Sequence, residues 1–305
     1  MNRRTIIRLP HAACLWLVLW GTGSAVADTP SHADVRYGQY HRNLLDVYAA
    51  TSDAPTPVLI YFHGGGWMAG DKRRMNPKPF LANGITVVSA NYRFTIGSPD
   101  AAPYPAQMND GTRVVQFVRS RAKDWNINPD RVALMGASAG AVMSMWIGYH
   151  DDLANPQATD PIERISSRVQ CVLPVAGPTT MDVQWIRKHV GGPPHIHPAV
   201  YPFFQIARLE DLQRDDKREL AEQASPITHV TADDPPTFLQ YFSRLDDAPL
   251  PESADWNETV HHARFGQLLK ERLDAVKVPA VLHYIGAKES TTMNTFLETH
   301  LQKKP

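Results

Sequence analysis

Runs of apolar residues alternate with segments of helical periodicity along most of the chain. Continuous apolar stretches, typical of strands buried on both faces, occupy residues 58–62, 85–90, 131–135, 169–175, 237–242 and 280–285. Apolar residues recur at helical spacing in residues 106–125, 139–149, 265–276 and 292–301. Buried strands separated by helices predict an α/β fold with a mostly parallel central sheet and helices on both faces.

Two segments depart from this alternation. Residues 37–48 alternate apolar and polar positions, which predicts an antiparallel hairpin at the sheet edge. Residues 178–235 separate two of the apolar runs and contain consecutive prolines, an aromatic-rich stretch and a charged helix predicted at 209–222. We interpret this segment as a cap-like insertion over the strand ends, within a single domain that covers residues 28–305.

The N-terminal segment has the features of an export signal. Three arginines lie within the first eight residues, an apolar run follows at 12–20, and Ala25-Val26-Ala27 is a small-x-small cleavage site. The apolar run is too short to span a bilayer of about 30 Å. Residues 1–27 are therefore predicted to be a cleaved signal peptide, and the mature protein is predicted to be secreted or periplasmic.

Cysteine content and charge restrict the remaining possibilities. After cleavage only Cys171 would remain, so no internal disulfide is expected and this thiol is interpreted as structural. Basic and acidic residues both number 31, a balance that argues against a nucleic-acid partner. The 43% hydrophobic content is that of a globular protein. We expect no membrane partner after cleavage, and the oligomeric state stays open.

The first chemical motif is Gly-x-Ser-x-Gly at residues 136–140. It follows the apolar run 131–135 directly and precedes the predicted helix 139–149. In this strand–turn–helix setting the serine lies on a strained turn with its hydroxyl exposed, and the helix N-terminus adds positive potential where an oxyanion would form. Ser138 is therefore the predicted nucleophile.

The second motif is His-Gly-Gly-Gly-Trp at residues 63–67, directly after the apolar run 58–62. Glycines at a strand end leave backbone N–H groups unobstructed. The N–H groups of Gly65 and Gly66, together with that of Ala139, are predicted to form an oxyanion hole. With the serine motif, this indicates a serine hydrolase.

These motifs make the chain resemble an α/β-hydrolase with an HGGGW oxyanion loop, in the branch of acetyl xylan and feruloyl esterases related to hormone-sensitive lipase. The similar segments are 62–70 (FHGGGWMAG), 91–93 (NYR), 104–107 (YPAQ), 128–131 (NPDR), 136–140 (GASAG) and 166–170 (SSRVQ). The resemblance implies hydrolysis of small carboxylic esters without metal or cofactor. Acetyl or feruloyl groups on plant polysaccharides are the candidate substrates.

The acid of the catalytic triad is predicted from chain order, which in this fold is serine, acid, histidine. Residues 247–251 (DAPLP) resemble the family's acid-bearing turn after the strand at 237–242. Asp247 is therefore the preferred acid, with Asp246 and then Asp182 as alternatives.

The catalytic base departs from the family pattern. The loop after the last strand, where the family carries histidine, has Glu289 at the corresponding position, and its ordinary pKa of about 4.3 suits a base poorly. His283 and His300 are interpreted as structural. His261 and His262, after the Asp247 loop, are the candidates, and His262 is preferred.

Other features leave alternatives open. His195 and His197 alternate in the insertion, but without a cysteine or carboxylate pattern nearby we expect no metal site. Aromatic residues of the insertion either line a substrate pocket or form its own core: Trp185, Tyr201, Phe203 and Phe204. Besides a secreted serine carboxylesterase, the sequence allows a non-catalytic relative that binds a ligand or glycan, and less readily a peptidase.

Overall fold

The computed structural model describes residues 29–301, in which eight strands form one sheet. The strands are β1 (His32–Arg36), β2 (Leu44–Tyr48), β3 (Thr56–Phe62), β4 (Thr86–Ala90), β5 (Ile127–Ala137), β6 (Cys171–Val175), β7 (Thr237–Gln240) and β8 (Ala280–His283). Their order is β1-β2-β4-β3-β5-β6-β7-β8. Strand β2 pairs antiparallel with both β1 and β4, and every other pairing is parallel. The predicted mostly parallel sheet is confirmed.

Helices cover both faces of the sheet. In chain order they are α1 (Lys78–Leu81), α2 (Ala106–Ser120), α3 (Ala139–Tyr149), α4 (Val183–His189), α5 (Val200–Phe204), α6 (Asp215–Gln223), α7 (Trp256–Val260), α8 (Ala263–Ala275) and α9 (Met293–Leu301). Neighbouring strand residues point to opposite sides, so Ile60 belongs to the apolar cluster that includes α2, α3 and α8, while Leu59 belongs to the cluster that includes α1 and α9. The two apolar clusters explain the continuous apolar runs of the strands.

The segment between β6 and β7 carries α4, α5, α6 and two 3₁₀ turns, Leu209–Gln213 and Pro226–His229. The prediction of a single helix at 209–222 is wrong, because Arg214 has an extended backbone between the 3₁₀ turn Leu209–Gln213 and α6. The Asp211 carboxylate accepts the N–H groups of Ala207 and Arg208 and closes the first turn. Asp215 then begins α6, where its negative charge suits the helix N-terminus.

The hairpin at the sheet edge begins earlier than predicted. Its strands are β1 and β2, while residues 37–43 form the connecting turn, in which the N–H of Tyr37 donates to the Asn43 carbonyl at 3.1 Å. The predicted signal peptide, residues 1–27, lies outside the described residues. Within 29–301, none of the helices combines the length and the apolar character needed to cross a membrane.

Candidate active site

Ser138 occupies a sharp turn between β5 and α3. Its φ of 52° and ψ of −116° are unfavourable for a residue with a side chain. The turn is fixed from both sides, since the Ser138 N–H donates to the Val175 carbonyl at 2.9 Å and its own carbonyl accepts from Ala141 at 2.9 Å. A Cβ at Gly140 would lie 2.1 Å from the Phe62 carbonyl oxygen, so glycine lets α3 start against β3. The motif thus presents the serine hydroxyl at the carboxyl end of β5.

His261, and not His262, lies against this serine. The His261 Nε2 is 2.8 Å from the Ser138 Oγ. His262 faces away: its Nδ1 accepts the N–H of Arg264 at 3.1 Å and caps α8, and its ring is fully buried. The chain turns from α7 into α8 between the two residues, which sends adjacent side chains in different directions. The prediction that His262 is the catalytic base is therefore wrong, and the alternative candidate, His261, is the residue that contacts Ser138.

The second ring nitrogen of His261 is held by the backbone. His261 caps the C-terminus of α7, and its imidazole forms a hydrogen bond with the Asn257 carbonyl one turn earlier. The His261 N–H does not compete for that carbonyl, since it donates to the Glu258 carbonyl at 3.3 Å. With Nε2 at Ser138, the proton belongs on Nδ1, which is the tautomer a general base requires. Burial lowers the pKa of His261, and the Asn257 carbonyl partly opposes this.

None of the predicted acids contacts His261. Asp247 is exposed, and its charge acts on His262 instead, where burial lowers the pKa and Asp247 partly opposes this. Asp246 pairs with Arg244 at 3.1 Å, and Asp182 caps α4 by accepting the N–H groups of its first turn. Among residues 29–301, no carboxylate lies within ion-pair distance of His261. The prediction that Asp247 is the acid in contact with the base is therefore wrong. The polar group that meets the second nitrogen of the His261 ring comes from the backbone of α7, at Asn257.

We expect Asp247→Asn to change kcat/KM by less than about threefold. An acid that orients a catalytic histidine is worth about 10⁴-fold in kcat, whereas an exposed carboxylate with no contact to the ring contributes little. Steady-state kinetics on a p-nitrophenyl ester measure the effect, and Asp246→Asn, the neighbouring exposed carboxylate, is the matched control. A loss of 100-fold or more for Asp247→Asn alone would restore Asp247 as the acid.

The glycine loop is anchored at both ends beside the serine. The Tyr92 hydroxyl donates to the His63 carbonyl at 2.7 Å, and burial lowers the pKa of His63 to about 4, so a neutral ring stacks on Tyr92. At the other end the Thr95 N–H donates to the Trp67 carbonyl at 2.8 Å, and the Trp67 ring stacks on Phe203 at 4.1 Å. These contacts fix the backbone between them.

The predicted oxyanion donors have free N–H groups. In the described part of the chain, no backbone or side-chain acceptor engages the N–H of Gly65, Gly66 or Ala139. Gly66 and Ala139 line the same pocket as Ser138, and Gly64 abuts the turn, since a Cβ there would lie 3.3 Å from the Ser138 Cβ. The unpaired N–H groups of Gly66 and Ala139, which share the pocket with Ser138, suit stabilisation of a developing oxyanion, whereas Gly65 does not line this pocket.

Comparison with known proteins agrees with this geometry. The family model BD-FAE matches residues 45–254, well over half of the chain and including both glycine motifs. The chain belongs to the BD-FAE family. Membership confirms the resemblance inferred from the motifs.

Relatives of this BD-FAE protein are named as ester hydrolases. It is 27% identical over 220 residues to the probable carboxylic ester hydrolase LipM of Mycobacterium tuberculosis, covering 70% of this chain and 47% of LipM. It is also 27% identical over 240 residues to the esterase LipQ of the same organism, covering 76% of this chain and 53% of LipQ. The chain thus spans about half the length of the curated relatives that it matches.

Solved structures give the same fold. An acetyl ester-xyloside bifunctional hydrolase from Caldicellulosiruptor lactoaceticus is 25% identical, with a TM-score of 0.56 and coverage of 79% of this chain and 76% of that one. A truncated carbohydrate esterase from gut microbiota is 22% identical, with a TM-score of 0.68 and coverage of 90% and 98%. At this identity the second structure supports the α/β-hydrolase fold alone.

The BD-FAE site opens into a pocket under the insertion, with a volume of about 790 Å³ when its opening to solvent is included. One wall is the glycine loop and the serine turn, and the others are α4, residues 191–200 and α7. Most lining side chains are apolar, among them Trp67, Met181, Val183, Ile186, Ile196, Val200, Trp256 and Val260. An ester group held here would contact mostly apolar side chains.

The aromatic residues singled out in the insertion lie elsewhere. Phe203 and Phe204 are buried against each other and against Tyr104, so they attach the insertion to the rest of the domain, and neither they nor Trp185 and Tyr201 line the pocket. The pocket instead uses α7, a five-residue helix that sequence reasoning missed. No apolar periodicity in so short a segment could have indicated it. In the described residues, no three metal-ligating side chains converge.

Proposed function

We propose that the protein is a serine carboxylesterase that hydrolyses small acyl esters through an acyl-enzyme. The observation that carries the proposal is the 2.8 Å contact between His261 Nε2 and Ser138 Oγ, formed beside backbone N–H groups that have no other partner. Nucleophile, base and oxyanion donors are the parts that acyl transfer needs.

The proposed reaction begins with attack by Ser138. Its Oγ bonds to the ester carbonyl carbon while its proton passes to His261 Nε2, and the carbonyl electron pair moves onto oxygen, held by the N–H groups of Gly65, Gly66 and Ala139. The intermediate collapses, the bond to the alcohol oxygen breaks, and the alcohol leaves with the proton from His261. Water then attacks the acyl-enzyme, giving one proton to His261, which returns it to Ser138 as the acid departs.

The substrates that we propose are acetyl or feruloyl esters on plant polysaccharides, hydrolysed outside the cytoplasm. Similarity to a protein titled an acetyl ester-xyloside bifunctional hydrolase supports the first, and the signal-like residues 1–27 support export. A non-catalytic binder is less well supported, since its one argument was the absence of histidine from the usual loop, and His261 supplies an imidazole from another segment.

The test uses the protein beginning at Asp28, assayed with p-nitrophenyl acetate, acetylated xylan and methyl ferulate, with Ser138→Ala as the control. Steady turnover of the first ester that the variant lacks would support the esterase, and release of acetate or ferulate from the other two would identify the acyl group. Turnover equal to that of the variant on all three would contradict the proposal.

We expect kcat/KM to fall with acid in a transition that lies below the ordinary histidine pKa of 6.5. The neutral His261 ring is the base, and burial lowers its pKa, so the active form predominates at pH 6.5 and is lost only as the pH falls further. A profile of kcat/KM from pH 4 to 9 measures this. An acidic limb centred above 6.5 would contradict the desolvated environment of the ring.

A further inference from the structure

His197 occupies the pocket between the glycine loop and α7. A Cβ at Gly66 would lie 3.2 Å from the His197 Cε1, so the ring borders the backbone that supplies an oxyanion donor. On its other side the ring meets Trp256 edge-on, with centroids 4.2 Å apart. His197 and Ser138 line the same pocket, and nothing in the proposed reaction uses this second imidazole.

The hydrogen bonds of His197 leave one polar atom without a partner. Its Nδ1 accepts the N–H of Ala199 at 3.0 Å, so in the neutral ring the proton is on Nε2. Among residues 29–301, Nδ1 has this partner whereas Nε2 has none, and the half-buried ring leaves Nε2 accessible. Burial, assisted by the nearby His261 imidazole and opposed by Asp255, lowers the pKa to about 4. Near neutral pH the ring is therefore an uncharged donor that faces a pocket.

Three of the other polar side chains of the pocket are engaged, whereas Trp67 Nε1 is buried and has no partner among residues 29–301. Thr259 donates to the Asp255 carbonyl at 3.1 Å, and Thr180 pairs with the Ser225 hydroxyl at 3.3 Å. Arg187 reaches the Pro194 carbonyl. An unpaired donor amid apolar side chains binds a ligand oxygen well, and leaving it unpaired beside a hydrocarbon group costs free energy.

We propose that His197 determines specificity by donating a hydrogen bond from Nε2 to a substrate oxygen outside the scissile carbonyl. The site then favours esters whose acyl or alcohol part carries an ether, methoxy or hydroxyl oxygen over esters of the same shape made of hydrocarbon alone. This inference rests on the proposed esterase function and names the class of ester.

Two substrate pairs of matched shape test this on either side of the scissile bond. They are 2-ethoxyethyl acetate against pentyl acetate, and p-nitrophenyl methoxyacetate against p-nitrophenyl butanoate. Each pair is assayed with the wild-type protein, with His197→Phe, which keeps a ring but no donor, and with His197→Gln, which restores an N–H at a similar reach. Intrinsic reactivity cancels when the ratio of kcat/KM within a pair is compared between variants.

The ratio of oxygenated to hydrocarbon ester is expected to fall about 10-fold in His197→Phe for at least one pair, and to stay within about threefold of wild type in His197→Gln. Unchanged ratios in His197→Phe for both pairs would overturn the proposal. If kcat/KM then falls equally for both members of each pair, His197 contributes to the shape of the pocket alone.

A binding measurement separates this inference from the esterase itself. In the Ser138→Ala background, calorimetry gives the Kd of the same esters with and without His197→Phe, and needs no turnover. An affinity ratio that falls about 10-fold supports the hydrogen bond even if the wild-type protein proves inactive, whereas an unchanged ratio overturns it.

Discussion

Replacing His261 with alanine is expected to lower kcat/KM for p-nitrophenyl acetate by about 10⁴-fold. Among residues 29–301 this imidazole is the base in contact with Ser138, at 2.8 Å, and without it the hydroxyl must lose its proton to water as it attacks. Removal of the base from a serine–histidine unit costs at least this much and leaves only the contributions of binding and the oxyanion hole. Steady-state kinetics at pH 7.5 measure the loss.

The neighbouring histidine provides the control. His262→Asn keeps an oxygen that can accept the Arg264 N–H at the start of α8, so the helix cap survives while the imidazole is lost. We expect kcat/KM within about threefold of wild type for this variant. The reverse pattern, with His262→Asn inactive and His261→Ala active, would show that the two rings exchange roles in solution.

The base in this site is supported differently from that of a serine–histidine–aspartate triad. A backbone carbonyl can fix the tautomer and orientation of His261, but it carries only a partial negative charge and stabilises the imidazolium less than a carboxylate does. The lowered pKa of His261 agrees with this, because burial outweighs the Asn257 hydrogen bond. In a triad one aspartate both orients the histidine and stabilises the imidazolium charge. Here the backbone carbonyl orients His261 but stabilises that charge only weakly.

The parts of the site that follow from the sequence are those encoded by a short stretch of chain. A buried strand followed by Gly-x-Ser-x-Gly fixes the turn at Ser138, and a buried strand followed by three glycines fixes the loop around Gly65 and Gly66. The strands that lead into these two motifs, β3 and β5, are parallel neighbours in the sheet, so both motifs lie at the same edge of the sheet. Local sequence and sheet topology together determine that meeting.

The base and its support follow from packing that no local pattern encodes. His261 and His262 are adjacent and identical in type, and only the turn between α7 and α8 decides which ring reaches Ser138. The group that holds His261 is a backbone carbonyl, which every residue possesses and which therefore leaves no mark in the sequence. The family resemblance indicated that Asp247 would be the acid of the triad. The side chain of Asp247 is instead exposed to solvent.

Replacing Ser138 with alanine is expected to lower kcat/KM by about 10⁴-fold or more, and the double variant Ser138→Ala/His261→Ala is expected to be no worse than either single variant. His261 has nothing to deprotonate without the hydroxyl, so the second substitution removes a group that has already lost its function. The free energies of activation lost in the two single variants therefore should not add. Kinetics of all three variants at high enzyme concentration test this, with melting temperatures confirming that each variant is folded. Additive losses would mean that His261 promotes the reaction independently of Ser138, for example by activating water directly, and would contradict their action as a coupled pair.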